Sequence, residues 1–258
     1  MSTTEDLGQA LERAKQPTEQ RTVVDLIRSM EPELQRSLQS EQAAAVLQRH
    51  YLNAVRFNPL LMQCTAESLV AALLLSAQCR LEPGPLGHVY LVPFKDGKRA
   101  VFNVVWMLGY TGIVELARRG GAHGLSSTVV YDGDECERPW QNERGWHWTL
   151  RPAPTESQGE RVGVLVTWRE ERERVALWCP PERIDVAVKA SKNPKARELR
   201  EEDWYWRKTG VRFARPWLPL STDTGFAVAA RADQGAVRAL DVVEGEAVPV
   251  IDEAEPEA

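Results

Sequence analysis

The sequence predicts an α+β fold: a twisted antiparallel sheet with packed helices, preceded by a helical N-terminal layer. Three observations predict it. Residues 17–57 and 66–78 carry apolar side chains at helical spacing. Residues 88–107 then switch to two β-type runs hinged on an Asp-Gly pair. Strand-like runs continue as far as Cys179, and a last helical stretch runs from Asp203 to Trp217.

Each element has its own signal. Residues 1–16 are polar and read as a disordered N-terminus, and 17–232 as one core. Residues 17–57 read as two helices. The first carries Val23, Val24, Ile27, Met30 and Leu34; the second, Gln42–Phe57, carries Ala45, Val46, Tyr51, Leu52 and Val55. The third helix, over 66–78, presents Leu69, Val70, Leu73 and Leu74, with Thr65 as its N-cap. Pro83 and Pro85 end it, and Gly84 and Gly87 let the backbone turn sharply. His88–Phe94 and Arg99–Met107 are strands joined at Lys95-Asp96-Gly97-Lys98. Both faces of this hairpin are apolar, which predicts a place in the middle of a sheet. A short helix over 109–119 closes at Gly120-Gly121. Further strands are expected at 125–131, 145–150, 161–168 and 172–179, and Pro180-Pro181 opens another helix. The charged stretch 189–202 reads as a loop, and Pro219 closes the helix 203–217. Residues 233–258 read as an acidic disordered tail, and no internal repeat is visible.

With 258 residues, 43% hydrophobic and 27% charged, the chain has material for a sizeable core. No apolar run approaches 18 residues, and MSTTEDLGQALERAKQ lacks a signal-peptide core, so neither membrane span nor export is expected. Cys64, Cys79, Cys136 and Cys179 lie far apart without a CxxC pair and are expected as free thiols. His50, His88, His123 and His147 share no ligand spacing. Walker A, GxGxxG, HExxH and GxSxG patterns are absent, which removes the usual support for nucleotide hydrolysis, dinucleotide binding and two hydrolase chemistries. Asp132, Asp134 and Glu135 in YDGDE offer carboxylates to a divalent ion, as in a nuclease. No lysine or distant carboxylate partner accompanies them, so a solvated turn is favoured.

Net charge is −5, but the charge is unevenly spread. Residues 241–258 hold seven acids and no base, which leaves 32 bases against 30 acids elsewhere. In DWYWRKTGVRFARPWLP, Trp204, Lys208, Val211, Arg212 and Arg215 recur at helical spacing and fall on one side of a helix. Cations there suit a phosphate backbone and a nearby ring suits a base; the alternative is a solvated face packed by its tryptophans. A second basic group surrounds the hairpin: Lys95, Lys98 and Arg99 at its turn, then Arg118 and Arg119. The helix dipole also favours Arg118 and Arg119 where they stand.

Three segments, in order, resemble the RecT family of phage single-strand annealing proteins. They are LEPGPLGHVYLVPF, LGYTGIVELARRGG and WRKTGVRFARPWLPLS, and the upstream NPLLMQCTAESLVAALLLSAQCRLEPG matches in order and spacing. The resemblance covers about residues 17–230. Departures stand at Thr111, where the family has arginine; at Gly120, where it has serine; at Arg80, where it commonly has glycine; and in the short insert KDGKR. Arg118, Arg119 and Lys208 remain at motif positions.

The resemblance implies ATP-independent annealing of complementary single strands, and strand invasion, in phage or prophage recombination in the bacterial cytoplasm. It implies no catalytic residues and no cofactor, though a divalent ion such as magnesium would modulate DNA binding. Partners would be single-stranded DNA, the annealed duplex, further copies of the chain in a ring or helical filament, and an exonuclease or host single-strand-binding protein. A basic groove is expected between the hairpin–helix region and the last helix. Lys208, Arg212 and Arg215, with Arg207 beside them, would hold phosphates; Tyr110 and Trp204 would stack on bases or shape the groove. Separately from the resemblance, the acidic tail would compete with DNA or bind a partner; the alternative is a tail that only solvates the protein. Two readings from other classes remain: a metal-dependent nuclease, and an assembly protein that ignores DNA.

Overall fold

A computed structural model describes residues 22–96, 101–137, 148–191 and 193–219. Among the described residues three helices, not two, precede the 3-10 turn: α1 (Val23–Ser29), α2 (Glu31–Leu38) and α3 (Glu41–Phe57). The break that periodicity missed lies at Met30, which ends α1 and caps α2. Pro32 explains it. A proline in a continuous helix would lose a hydrogen bond and clash with the preceding turn, but it fits the first turn of a new one. Thr22 and Asp25 close a capping box on α1. A 3-10 turn (Pro59–Gln63) leads into α4 (Ala66–Cys79), capped by Thr65 as expected.

The strands β1 (Val89–Asp96) and β2 (Val101–Leu108) pair antiparallel, from Val89 opposite Leu108 to Asp96 opposite Val101. The expectation that this hairpin lies inside a larger sheet is not met: among the described residues it is a two-stranded sheet of its own. Its apolar surface is covered by α4 and the 3-10 turn instead of by further strands. Its edge is served by the same helix. Thr65 N–H donates to Phe102 O (2.8 Å), and Val104 N–H donates to Ser68 Oγ (2.9 Å). The N-terminus of α4 thus satisfies polar groups that a neighbouring strand would otherwise pair.

Helical layer and hairpin are joined by a buried relay. Trp106 Nε1–H donates to Ser76 Oγ (2.9 Å), Ser76 and Tyr51 hydroxyls lie 2.9 Å apart, and Tyr51 O–H donates to Ala72 O (2.7 Å). Tyr51 spends its one proton on the carbonyl, so Ser76 donates to it and accepts from Trp106. Burial pushes the Tyr51 phenol pKa well up and keeps it neutral.

After α5 (Tyr110–Arg119) come β3 (Ala122–Tyr131), β4 (Glu135–Glu137), β5 (Thr149–Arg151), β6 (Arg161–Glu170) and β7 (Glu173–Cys179). They form a three-stranded antiparallel sheet in the order β3-β6-β7 and a small β4-β5 pair. The expected start of β5 at Gly145 lies outside the described residues. α6 (Pro181–Ala190) begins at the proline pair as expected. The stretch read as a charged loop contains a single-turn helix, α7 (Ala196–Leu199), which buries Ala196. The last helix, α8 (Asp203–Ala214), tightens to a 3-10 turn at Arg215–Trp217, because Pro216 has no N–H to continue it.

One continuous buried cluster runs from Ile27 in the helical layer through the hairpin and the three-stranded sheet to Leu218. α8 packs on β3, β6 and β7. Gly210 makes the approach possible: a Cβ there would stand 2.7 Å from Val164 Cγ1 and 3.0 Å from Ser127 Oγ. Cys64, Cys79, Cys136 and Cys179 are all free thiols. Burial pushes the Cys64 thiol up to about 11, and Cys79 and Cys179 up to about 12, so these three stay protonated at neutral pH.

Candidate nucleic-acid interface

The N-terminus of α8 is anchored by a polar knot. Tyr131 on β3 and Arg161 on β6 both donate to Asp203 Oδ1, at 2.6 and 2.9 Å. Burial works against the Asp203 charge, but the Tyr131 hydrogen bond and the Arg161 guanidinium outweigh it, holding the carboxyl below its usual range. Trp206 adds an Nε1–H bond to Arg200 O (2.6 Å), with the Arg200 guanidinium 5.6 Å from its ring centre. Near its other end, Arg212 Nη2–H donates to Leu108 O (2.8 Å), at the junction of β2 and α5. The helix is therefore a fixed bar between the three-stranded sheet and the hairpin–helix junction.

Its buried side carries Tyr205, Trp206, Thr209, Gly210, Val211 and Ala214. Val211, expected on the outer stripe, is only 3% exposed and belongs to the core. Two sides of α8 are covered, and the 3.6-residue period alone cannot say that a second element closes over that position. The outer face holds Trp204, 42% exposed, and Arg207. Lys208 lies half-buried with its Nζ 5.6 Å from the Trp204 ring centre, a cation–π pair one turn apart. Arg207 stands 3.7 Å from Asp203 Oδ2. Arg215, in the final turn, is half-buried. A cationic strip with one open indole thus lines a rigid helix.

The hairpin group divides. Lys95 is exposed near the end of β1; Lys98 and Arg99 lie outside the described residues. Lys95 stands six strand residues beyond Val89, which pairs with Leu108. At the strand rise that is about 20 Å from the Arg212 anchor. Tyr110 opens α5 and is 38% exposed, two residues from that anchor. The structure thus brings Tyr110 to the α8 strip and leaves Lys95 at a distance.

Arg118 and Arg119 both engage Glu115. Arg118 binds it through two 2.9 Å bonds, and Arg119 through one of 2.9 Å. The Arg118 hydrogen bond leads in lowering the Glu115 carboxyl to about 2. Arg118 is exposed. Arg119 is spent elsewhere: Nη1 donates to Cys79 O (2.9 Å) and Nη2 to Arg80 O (3.0 Å). It closes the carbonyl end of α4, whereas sequence offered only the dipole of its own helix.

The acidic turn shows where its carboxylates go. Asp132 accepts from Glu160 N (3.0 Å), Asp134 from Tyr131 N (2.9 Å) and Ala153 N (2.8 Å), and Glu135 meets Arg151 at 3.3 Å. These bonds hold the turn together. Among the described residues no three His, Cys, Asp or Glu side chains converge as metal ligands.

Sequence reasoning missed Tyr90 and Leu86, which are 37% and 64% exposed. Tyr90 was read only as part of a strand; the signal available was an aromatic placed one position out of step with buried Val89 and Leu91.

A family profile, RecT family, matches residues 40–247. The chain belongs to the RecT family. It is also 39% identical to Protein RecT of Escherichia coli (strain K12), over 40% of this chain and 47% of that protein. The match thus spans about half the length of that curated relative.

Proposed function

We propose that the chain is an ATP-independent single-strand annealing protein of phage-type homologous recombination. The observation that carries this reading is the α8 strip: Trp204, Arg207 and Lys208 on a helix pinned at both ends, with Arg212 reaching the junction where Tyr110 stands. Family membership supports it. Cations along a fixed bar neutralise phosphates, and neutralised phosphates lower the repulsion met by an incoming complement. Pairing is then tested by base stacking and hydrogen bonding between the strands, and no covalent step is required.

In this reading Lys208, Arg207, Arg212 and Arg215 contact phosphates, Trp204 stacks or shapes the strip, and Lys95, Lys98 and Arg99 contact strands further out. Arg118 reaches phosphate only by leaving Glu115, and Arg119 positions α4. Copies of the chain align along one strand in a ring or filament. Magnesium modulates binding without a built site, and an exonuclease or host single-strand-binding protein completes the pathway in the bacterial cytoplasm. Among the described residues no helix is long and apolar enough to cross a membrane.

Two labelled complementary oligonucleotides, mixed with the protein without ATP, test the reading. Faster pairing of intact strands is expected; no acceleration, or shortened strands with magnesium, overturns it. Lys208→Ala is expected to weaken binding to all sequences alike. It should also flatten the slope of log affinity against log salt by about 0.7, the share of one phosphate contact on a single strand. An unchanged salt slope removes Lys208 from the interface.

A further inference from the structure

We infer that Tyr90 and Tyr110 form a base-stacking platform at the hairpin–α5 junction, with Leu86 as an apolar lip beside it. The inference rests on the DNA-binding reading and adds base contacts at the hairpin–α5 junction, apart from the cations and Trp204 of the α8 strip.

The platform stands on a backbone-to-backbone crossing. Gly109 N–H donates to His88 O (2.9 Å). A Cβ on Gly109 would lie 1.8 Å from Gly87 O, and one on Gly112 would lie 2.3 Å from His88 O. Gly87 itself sits at φ +64° and closes a turn onto Gly84 O (2.9 Å). Thr111 Oγ1–H lies 2.8 Å from Leu86 O and 2.6 Å from Gly87 O and clasps the same turn. The Tyr90 ring lies across this floor: its hydroxyl and Cε2 come within 2.7 and 3.1 Å of where side chains on Gly87 and Gly109 would begin.

The result is an aromatic ring lying against glycine backbone and 37% exposed, while Leu86 and Tyr110, the chain neighbours of Gly87 and Gly109, are 64% and 38% exposed. Soluble proteins rarely hold three large apolar groups open around one rigid point without using them. A cation reaches this junction: the Arg212 guanidinium meets the backbone two residues before Tyr110. Aromatic rings beside a phosphate-binding cation are the arrangement that holds single-stranded nucleic acid, because every base offers a π face. The ligand is therefore unpaired bases, without sequence preference.

The test compares an oligothymidine with an abasic oligonucleotide of equal length, using the full chain and Tyr90→Ala, Tyr90→Leu and Tyr110→Ala. Wild type is expected to prefer the base-bearing strand. Tyr90→Ala and Tyr90→Leu should lose about 5- to 150-fold on oligothymidine, and little on the abasic strand, with the salt slope unchanged. Tyr90→Leu keeps the apolar packing, so equal thermal midpoints for it and wild type separate stacking from folding. Equal losses on both strands, or none on either, overturn the platform. Loss of the salt slope in wild type itself would instead overturn the phosphate reading, so the two failures are distinct.

Discussion

Arg80 ends α4 in the left-handed region, at φ 50°, and Leu81 N–H reaches back to Ser76 O (3.0 Å). This is a helix C-cap built for glycine, where the family commonly has one. A non-glycine residue pays a steric cost there that glycine does not. Arg80→Gly is therefore expected to stabilise the protein by about 1 kcal/mol, seen as a higher urea midpoint at unchanged m-value. A lower midpoint would mean that the arginine side chain contributes more than its backbone strain. The departure at Thr111 has an equally local account. A threonine hydroxyl, short and rigid, clasps Leu86 and Gly87 carbonyls that an arginine would overshoot. The Thr111 contact could not be judged from the sequence, because its partners lie 24 and 25 residues away along the chain.

At the scale of elements, Glu115 and Arg119 lock α5 to the end of α4. The sign of the pH effect follows from the lowered carboxyl. Glu115 titrates near its ordinary value when unfolded and at about 2 when folded. The stability it supplies is thus full above about pH 4.5 and lost as pH falls toward 2. Glu115→Gln should be less stable than wild type at neutral pH, and that difference should close across this acid window. A difference that stays constant in denaturant melts down to pH 2 would remove the ion pair from the account. Elements were well marked in the sequence wherever a local cap or breaker set them. Thr65, the Gly120-Gly121 pair and the Pro180-Pro181 pair stand where their chemistry predicted. The Met30 break was hidden because apolar spacing runs on through it. The hairpin's isolation was hidden because an apolar strand face looks the same whether a strand or a helix covers it.

For the whole molecule, charge is divided between the α8 strip and the acidic run 241–258, which the sequence places 27 residues after Ala214 ends that helix. The run and the strip carry opposite charge on one chain, and we propose that the tail competes with DNA for the strip. Deleting residues 241–258 should tighten single-strand binding at low salt and change it little at high salt. No tightening at low salt would assign the tail to a partner instead. The strip itself was half legible: spacing found Trp204 and Lys208, but missed that Val211 turns inward. The Tyr90 platform was illegible, since it exists only where two glycine-bearing segments cross.

The relay from Trp106 through Ser76 to Tyr51 carries one more implication. A single serine oxygen bonds an indole from the hairpin and a phenol from α3, while its own helix lies between them. Lifting the hairpin away breaks the Trp106–Ser76 bond, and an indole N–H or serine oxygen left buried without that partner costs about 1–3 kcal/mol. Helical layer and hairpin are therefore expected to open as one cooperative unit, with matching hydrogen-exchange protection at Trp106 and Tyr51.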